Sequence, residues 1–392
     1  MRFSSFVERI GGEGAAAWGI HSRAVERKRR GDDVILLSIG DPDFDTPAPV
    51  VDAAIAALRA GRTHYTDLVG EPELRRAIAD HHSRTTGQPV GPDRVVVVAG
   101  AQCALFCAAL CLVEPGDEII VPEPMYVTYE AVIGASGARL VTVPLRPERG
   151  FHLDPRDLAD AVTERTCAVL LNTPHNPTGA VMTRETLEAV ADICIRHDLW
   201  LISDEVYSTL TFERPHVSPC GLPGMGERTI TVNSLSKSHA MTGWRIGWLV
   251  APAAMVPHVA NLALCMLYGC PGFVQDAAVV ALETELREVE VMREAYRTRR
   301  NLLHGRLNET PGLRCGLPEG GMFLMLDVRE TGLSAYDFAD GLLDATGVSV
   351  LAGDAFGPSA AGHVRVSLCV PEDGLLEACD RIARYVRENA KI

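Results

Sequence analysis

Seven short apolar runs recur along the chain, at 95–98, 118–121, 139–143, 167–171, 200–203, 229–232 and 246–250. Helical patterns lie between most of them, at 102–112, 126–135, 184–196 and 252–267. Runs of this length rich in β-branched residues read as buried strands, and strands alternating with helices pair in parallel beneath helices on both faces. Only a short loop separates the last two runs, so one of them is expected to lie antiparallel to its neighbours. The stretch 95–113 approaches the length of a membrane span. Its four consecutive valines followed by Gly100 read instead as a buried strand, a turn and a helix.

The pattern changes near Gln275 to one long, charge-laced helical stretch through Glu309, ended by Pro311-Gly312. Short runs follow at 321–327 and 363–368, with helices at 334–346 and 371–389. The expected fold is therefore α/β. A mostly parallel seven-stranded sheet with helices on both faces is joined to a smaller α+β domain. Residues 1–45 form an N-terminal segment that joins the small domain through a helix around Trp18 to Arg30. The large domain covers 46–285, and the small domain covers 286–392.

A chain of 392 residues exceeds the size at which one core stops growing, consistent with two domains. The net charge of −14 excludes nucleic acid and anionic membrane surfaces as natural partners. The basic run Arg27 to Arg30 before Gly31 reads as a solvated helix end. Eleven cysteines without a Cys-x-x-Cys pair fit free thiols in a reducing compartment. Cys103, Cys107 and Cys111 share one apolar helix face and read as packing residues, so no metal is expected. Residues 1–8 lack the apolar core of a signal peptide, and a cytoplasmic location is expected.

The informative polar residues follow the apolar runs, where open α/β sheets hold their ligands. Ser234-Leu235-Ser236-Lys237, then Met241-Thr242-Gly243-Trp244-Arg245, follows 229–232. A lysine amine with an arginine nearby suits a cofactor carrying an aldehyde and a phosphate. A surface lysine and an ordinary ion-paired arginine are the plainer reading. Asn172-Thr173-Pro174-His175-Asn176-Pro177-Thr178-Gly179 follows 167–171, either as a plain turn or as a rigid one aiming amides inward. Asp204-Glu205-Val206-Tyr207 follows 200–203 and reads either as a helix cap or as an anion and a phenol serving adjacent atoms of one ring. Gly100-Ala101-Gln102 opens a helix whose free amides suit phosphate. Tyr126 offers an aromatic face.

In this order, Asn-Pro-Thr-Gly, Asp-Glu-Val-Tyr and Ser-x-Ser-Lys with Gly-Trp-Arg resemble the class I/II aminotransferases, the fold-type I enzymes dependent on pyridoxal 5′-phosphate. The likeness runs from Leu37-Ser38-Ile39-Gly40-Asp41-Pro42 to Val364-Arg365-Val366-Ser367. It implies that Lys237 bonds the cofactor aldehyde and shuttles the substrate proton, and that Asp204 pairs with the ring nitrogen. Asn176 and Tyr207 would bond the ring oxygen, and Tyr126 would stack on the ring. Gly100, Ala101, Gln102, Ser234 and Arg245 would hold the phosphate. Arg365 would grip the substrate carboxylate, with Gly40 and Asn176 beside it. Tyr65 matches a tyrosine that reaches the neighbouring subunit's phosphate, implying a homodimer with shared active sites.

The implied reaction passes the α-amino group of an L-amino acid to a 2-oxo acid, alternating between two cofactor forms. Stretches such as Ala15-Ala16-Ala17-Trp18 and Leu262-Ala263-Leu264-Cys265-Met266 resemble members that take L-arginine and pyruvate. Gln102 stands where some aspartate-specific members carry a lysine, which disfavours a dicarboxylic donor. Aspartate, aromatic or other neutral donors, or a β-lyase reaction on the same scaffold, are the alternatives. A regulator built on this fold would carry a DNA-binding domain, for which residues 1–30 are too few.

Overall fold

The computed structural model describes residues 2–11 and 18–390. Met1, the Ala15 to Ala17 stretch and the last two residues of the expected small domain lie outside the described residues. The strands, in chain order, are β1 (Ile35–Leu36), β2 (Val95–Val98), β3 (Glu118–Glu123), β4 (Arg139–Pro144), β5 (Thr166–Asn172), β6 (Trp200–Asp204) and β7 (Thr229–Ser234). They continue with β8 (Gly247–Val250), β9 (Arg314–Cys315), β10 (Phe323–Asp327), β11 (Val348–Ser349), β12 (Leu351–Ala352) and β13 (His363–Ser367).

All seven expected runs join one seven-stranded sheet in the order β2-β8-β7-β6-β5-β3-β4. β8 is the reversed strand, antiparallel to both β2 and β7, while the other pairings are parallel. The two-residue repeat of a strand explains why β2 is valine throughout. Val96 and Val98 enter one core with the helix Ala101–Leu112, whereas Val95 and Val97 enter another with the helices Ala48–Arg59, Pro72–Thr86 and Gly272–Glu283. Both faces of the strand are therefore buried. A four-stranded antiparallel sheet, β12-β13-β10-β9, and the parallel pair β1-β11 build the smaller part. Its core takes Ile20 and Ala24 from the helix Trp18–Arg29. No helix among the described residues is long and apolar enough to cross a membrane.

The expected single helix over 275–309 is instead two, Gly272–Glu283 and Arg287–Asn308. Thr284 and Leu286 between them are extended, with φ −101°, ψ 135° and φ −105°, ψ 110°. Tertiary packing overrides the continuous helical pattern here. The first helix buries its apolar face with Val95 and Val97, while the second sends Met292, Tyr296, Leu303 and Leu307 into the smaller core. One straight rod cannot face both. The helix expected from Tyr126 begins at Tyr129, which leaves Tyr126 in the preceding turn.

Phe338 is fully buried in the smaller core, with its ring edge-on to Tyr385 at 5.5 Å. Phe338→Ala should cost about 3–5 kcal/mol through the cavity it leaves. Tyr336→Ala on the same helix, at a side chain 51% exposed, should stay within about 0.5 kcal/mol. Urea unfolding midpoints of the two variants check this.

Candidate active site

Parallel strands end on the same side of a sheet, so β2, β3, β5, β6 and β7 deliver the residues after them to one edge. The reversed strand β8 begins at that edge, and Arg245 lies two residues before it. The result is a cavity of about 440 Å³ that is also lined by the loop carrying Gly40 and by Phe323 and Arg365 of the smaller sheet. Gly40, Ala101, Gln102, Tyr126, Asn176, Asp204, Tyr207, Ser234, Lys237, Arg245 and Arg365 all line it. Gly100 backs it from the turn after β2. Tyr65 does not line it: its ring is 84% exposed and packs on Tyr268 at 4.8 Å.

Asp204 is 4% exposed. Its carboxylate accepts a 2.7 Å bond from the Tyr129 hydroxyl and a 3.3 Å bond from the Val206 amide. Burial pushes its pKa up to about 6, against the pull of those two donors. A buried anion in this state stabilises any cation placed against it. The side chain of Asn172 braces the same strand end. Its Nδ2 donates to the Asp204 carbonyl at 3.0 Å, and its Oδ1 accepts from the Asn176 amide at 2.7 Å. Asn176 Nδ2 in turn points to the Tyr207 hydroxyl at 3.5 Å.

Lys237 Nζ donates to the Gly40 carbonyl at 2.6 Å. Burial holds its pKa below the usual lysine value, and Arg365 and Arg245 push in the same direction against Cys369 and Asp41. A lysine so placed gives up its proton more easily than one in water, as a nucleophilic amine needs.

Arg365 is 3% exposed. It donates to Asn176 Oδ1 at 3.0 Å and to the Ser38 carbonyl at 2.9 Å. The rings of Phe323 and Phe356 lie 4.0 Å and 4.8 Å from its guanidinium carbon. Burial draws its pKa down to about 10, which leaves it charged near neutrality. Its Nε has no partner among the described residues, so one donor of this buried cation is unsatisfied.

Arg245 has a left-handed backbone, φ 53° and ψ 51°. Its guanidinium is held by the carbonyls of Thr242 at 2.8 Å and Ala99 at 3.2 Å. It therefore faces the first turn of the helix Ala101–Leu112, whose leading amides lack helical acceptors. Gly100 has no alternative in this position. At φ 85° a side chain is strained, and a Cβ there would stand 2.5 Å from an Arg245 nitrogen. The donor set fits pyridoxal phosphate: an anion beneath a ring nitrogen, an amine for an aldehyde, and a cation with free amides for a phosphate.

Four contributors carry no expectation from the sequence, namely Tyr129, Ser38, Phe323 and Phe356, whereas Asn172 is one of the asparagines expected to aim an amide inward. Tyr129 opens the helix that follows the turn after β3, beside the expected Tyr126. The other three carry no signal of their own, because a serine carbonyl and two apolar rings acquire their role only through Arg365.

The family described as aminotransferase class I and II matches residues 32–382. The arginine–pyruvate transaminase AruH of Pseudomonas aeruginosa is 61% identical over 388 residues, covering 99% of each chain. An aspartate/prephenate aminotransferase of Thermus thermophilus is 39% identical over 375 residues, covering 95% of this chain and 96% of its own. The solved structure of a Thermus thermophilus aspartate aminotransferase with maleate superposes with a TM-score of 0.93 at 38% identity, covering 98% of this chain and 100% of its own.

Gly100→Ala should displace Arg245 and lower the affinity of the apoprotein for pyridoxal phosphate at least about tenfold, roughly 1.4 kcal/mol. Gly305→Ala, whose added methyl meets nothing within 4 Å, should leave it unchanged. Equilibrium dialysis gives both values.

Proposed function

Because the chain belongs to the class I and II aminotransferases, we propose that it moves the α-amino group of L-arginine to pyruvate, with pyridoxal 5′-phosphate as cofactor. The observation that carries the chemistry is the convergence of Lys237, Asp204, Arg245 and Arg365 on one cavity. The likeness to the Pseudomonas transaminase over nearly the whole of both chains supports the choice of substrates. When bound, the cofactor supplies an aldehyde that takes up the amino group and a ring that accepts the electron pair of the α-carbon.

Each residue then has one task. Arg245, Ser234 and the amides of Ala101 and Gln102 hold the phosphate. Asp204, oriented by Tyr129, keeps a negative charge against the ring nitrogen. Asn176 and Tyr207 serve the ring oxygen, and Tyr126 the ring face. Arg365 binds the donor's α-carboxylate, so every amino acid enters with its α-carbon in the same place. Lys237 would carry the proton from that carbon to the carbon of the cofactor's aldehyde group in the first half of the reaction, and in the second half from there to the α-carbon of the oxo acid. Its lowered pKa favours the neutral amine that this requires.

The same proposal divides the chain at 46 and 286, and the helical break at 284–286 supports the second boundary. It also includes a cytoplasmic homodimer in which Tyr65 reaches the partner's phosphate. The exposure of Tyr65 outside its own cavity supports the shared site, together with exposed Leu264, Met266 and Tyr268. Eleven free cysteines support the reducing compartment.

Incubation with L-arginine and pyruvate should yield alanine and a 2-oxo acid. Ammonia released without an acceptor would point to a lyase instead. Lys237→Ala should lower turnover at least about 10³-fold, within the range for losing a general acid–base group.

A pH experiment tests Asp204. Above about pH 6 the apoprotein presents an anion to the ring nitrogen, and below it a neutral acid. Cofactor affinity should therefore fall as pH drops through about 6, and Asp204→Asn should remove that inflection. Quenching of tryptophan fluorescence across pH 5 to 8 measures both.

A further inference from the structure

We propose that Asp41 reads the cationic end of the amino donor, an inference that rests on the reading of the enzyme as an arginine transaminase. The segment from Ser38 to Asp41, of which Ile39, Gly40 and Asp41 line the cavity, meets the reacting groups in a fixed order. The Ser38 carbonyl accepts from Arg365, the proposed carboxylate clamp, at 2.9 Å. Two residues on, the Gly40 carbonyl accepts from Lys237 at 2.6 Å. One residue further, Asp41 enters the cavity lining. Carboxylate, reacting amine and Asp41 therefore follow one another along the segment.

The reach of this segment sets an upper bound that accommodates the substrate. Three residues of chain span at most about 10 Å. The guanidinium carbon of extended arginine lies six bonds from its carboxylate carbon, about 7 Å away at ordinary bond lengths. Asp41 is also oriented, because one carboxylate oxygen accepts from the Thr242 hydroxyl at 2.7 Å. Among the described residues its other oxygen has no partner.

Charge accounting within the cavity reaches the same residue independently. The lining cations are Lys237, Arg245 and Arg365, and each has a task at the aldehyde, the phosphate or the α-carboxylate. None remains for a second substrate carboxylate. The lining carboxylates are Asp204 and Asp41. Asp204 is buried under the ring site and bound by Tyr129 and Val206, which leaves Asp41 as the anion open to a donor side chain. A spare anion without a spare cation selects a cationic donor and rejects a dicarboxylic one.

The test compares L-arginine with L-citrulline, which has nearly the same shape and an uncharged ureido end. The holoenzyme is assayed with pyruvate, and the ratio of kcat/KM values is read. Wild type should favour arginine, and Asp41→Asn should reduce that preference about tenfold, mainly through the KM for arginine. Asp41→Glu should restore most of it. An unchanged ratio in Asp41→Asn, or an equal loss on both donors, would make Asp41 a loop latch to Thr242 and overturn the proposal. Wild type that takes a different donor and leaves arginine untouched would instead overturn the arginine reading itself.

Discussion

Everything at the site depends on how closely two backbones approach, at Gly100 and Gly247. A Cβ on Gly247 would lie 2.6 Å from the Gly100 carbonyl carbon, so only glycine permits the contact. The contact locks the start of the reversed strand β8 against the end of β2. It fixes the turn that precedes β8, and with it the left-handed backbone of Arg245. In a wholly parallel sheet the strand after β7 would need a crossover and would begin at the opposite edge. Reversal places a cation from the start of one strand among residues supplied by the ends of five others.

Those residues sit in a region that is costly to charge, and the cost is what makes it useful. Desolvation raises the pKa of Asp204 and lowers those of Lys237 and Arg365. Each shift opposes the charged form, and each weakens when an opposite charge arrives. A cavity lined by buried Asp204 and by three cations suits a ring cation, a phosphate and a substrate carboxylate, each set against the opposite charge. On the proposed reading, binding and the tuning of Lys237 are the same physical event.

Much of this was legible in the sequence, for a specific reason. A strand buried on both faces must be continuously apolar, so a polar residue directly after it is conspicuous. Asp204, Asn172 and Ser234 each end a strand in this way. The reversed strand was legible from loop length alone. What escaped lacks a local signature. The two-residue strands β1, β9, β11 and β12 are too short to show a period. The break at 284–286 is invisible because the pattern through it remains helical, and only the two separate cores demand it. Phe323 and Phe356 look like any core residue until Arg365 is seen between them.

The same logic explains why the reaction could be read before the substrate. The groups proposed to hold the cofactor come from the ends of the large sheet, where burial constrains them and leaves a pattern. The residue proposed to read the donor side chain, Asp41, lies in a loop outside any strand. Nothing in its local sequence distinguishes it from Asp43 or Asp45, two and four residues later. Asp43 instead bonds Arg299 at 2.7 Å, between the loop and the helix Arg287–Asn308. On that proposal, specificity would rest on which loop carboxylate keeps an oxygen free beside the cavity. That question is settled by tertiary packing, through Thr242 for Asp41 and through Arg299 for Asp43.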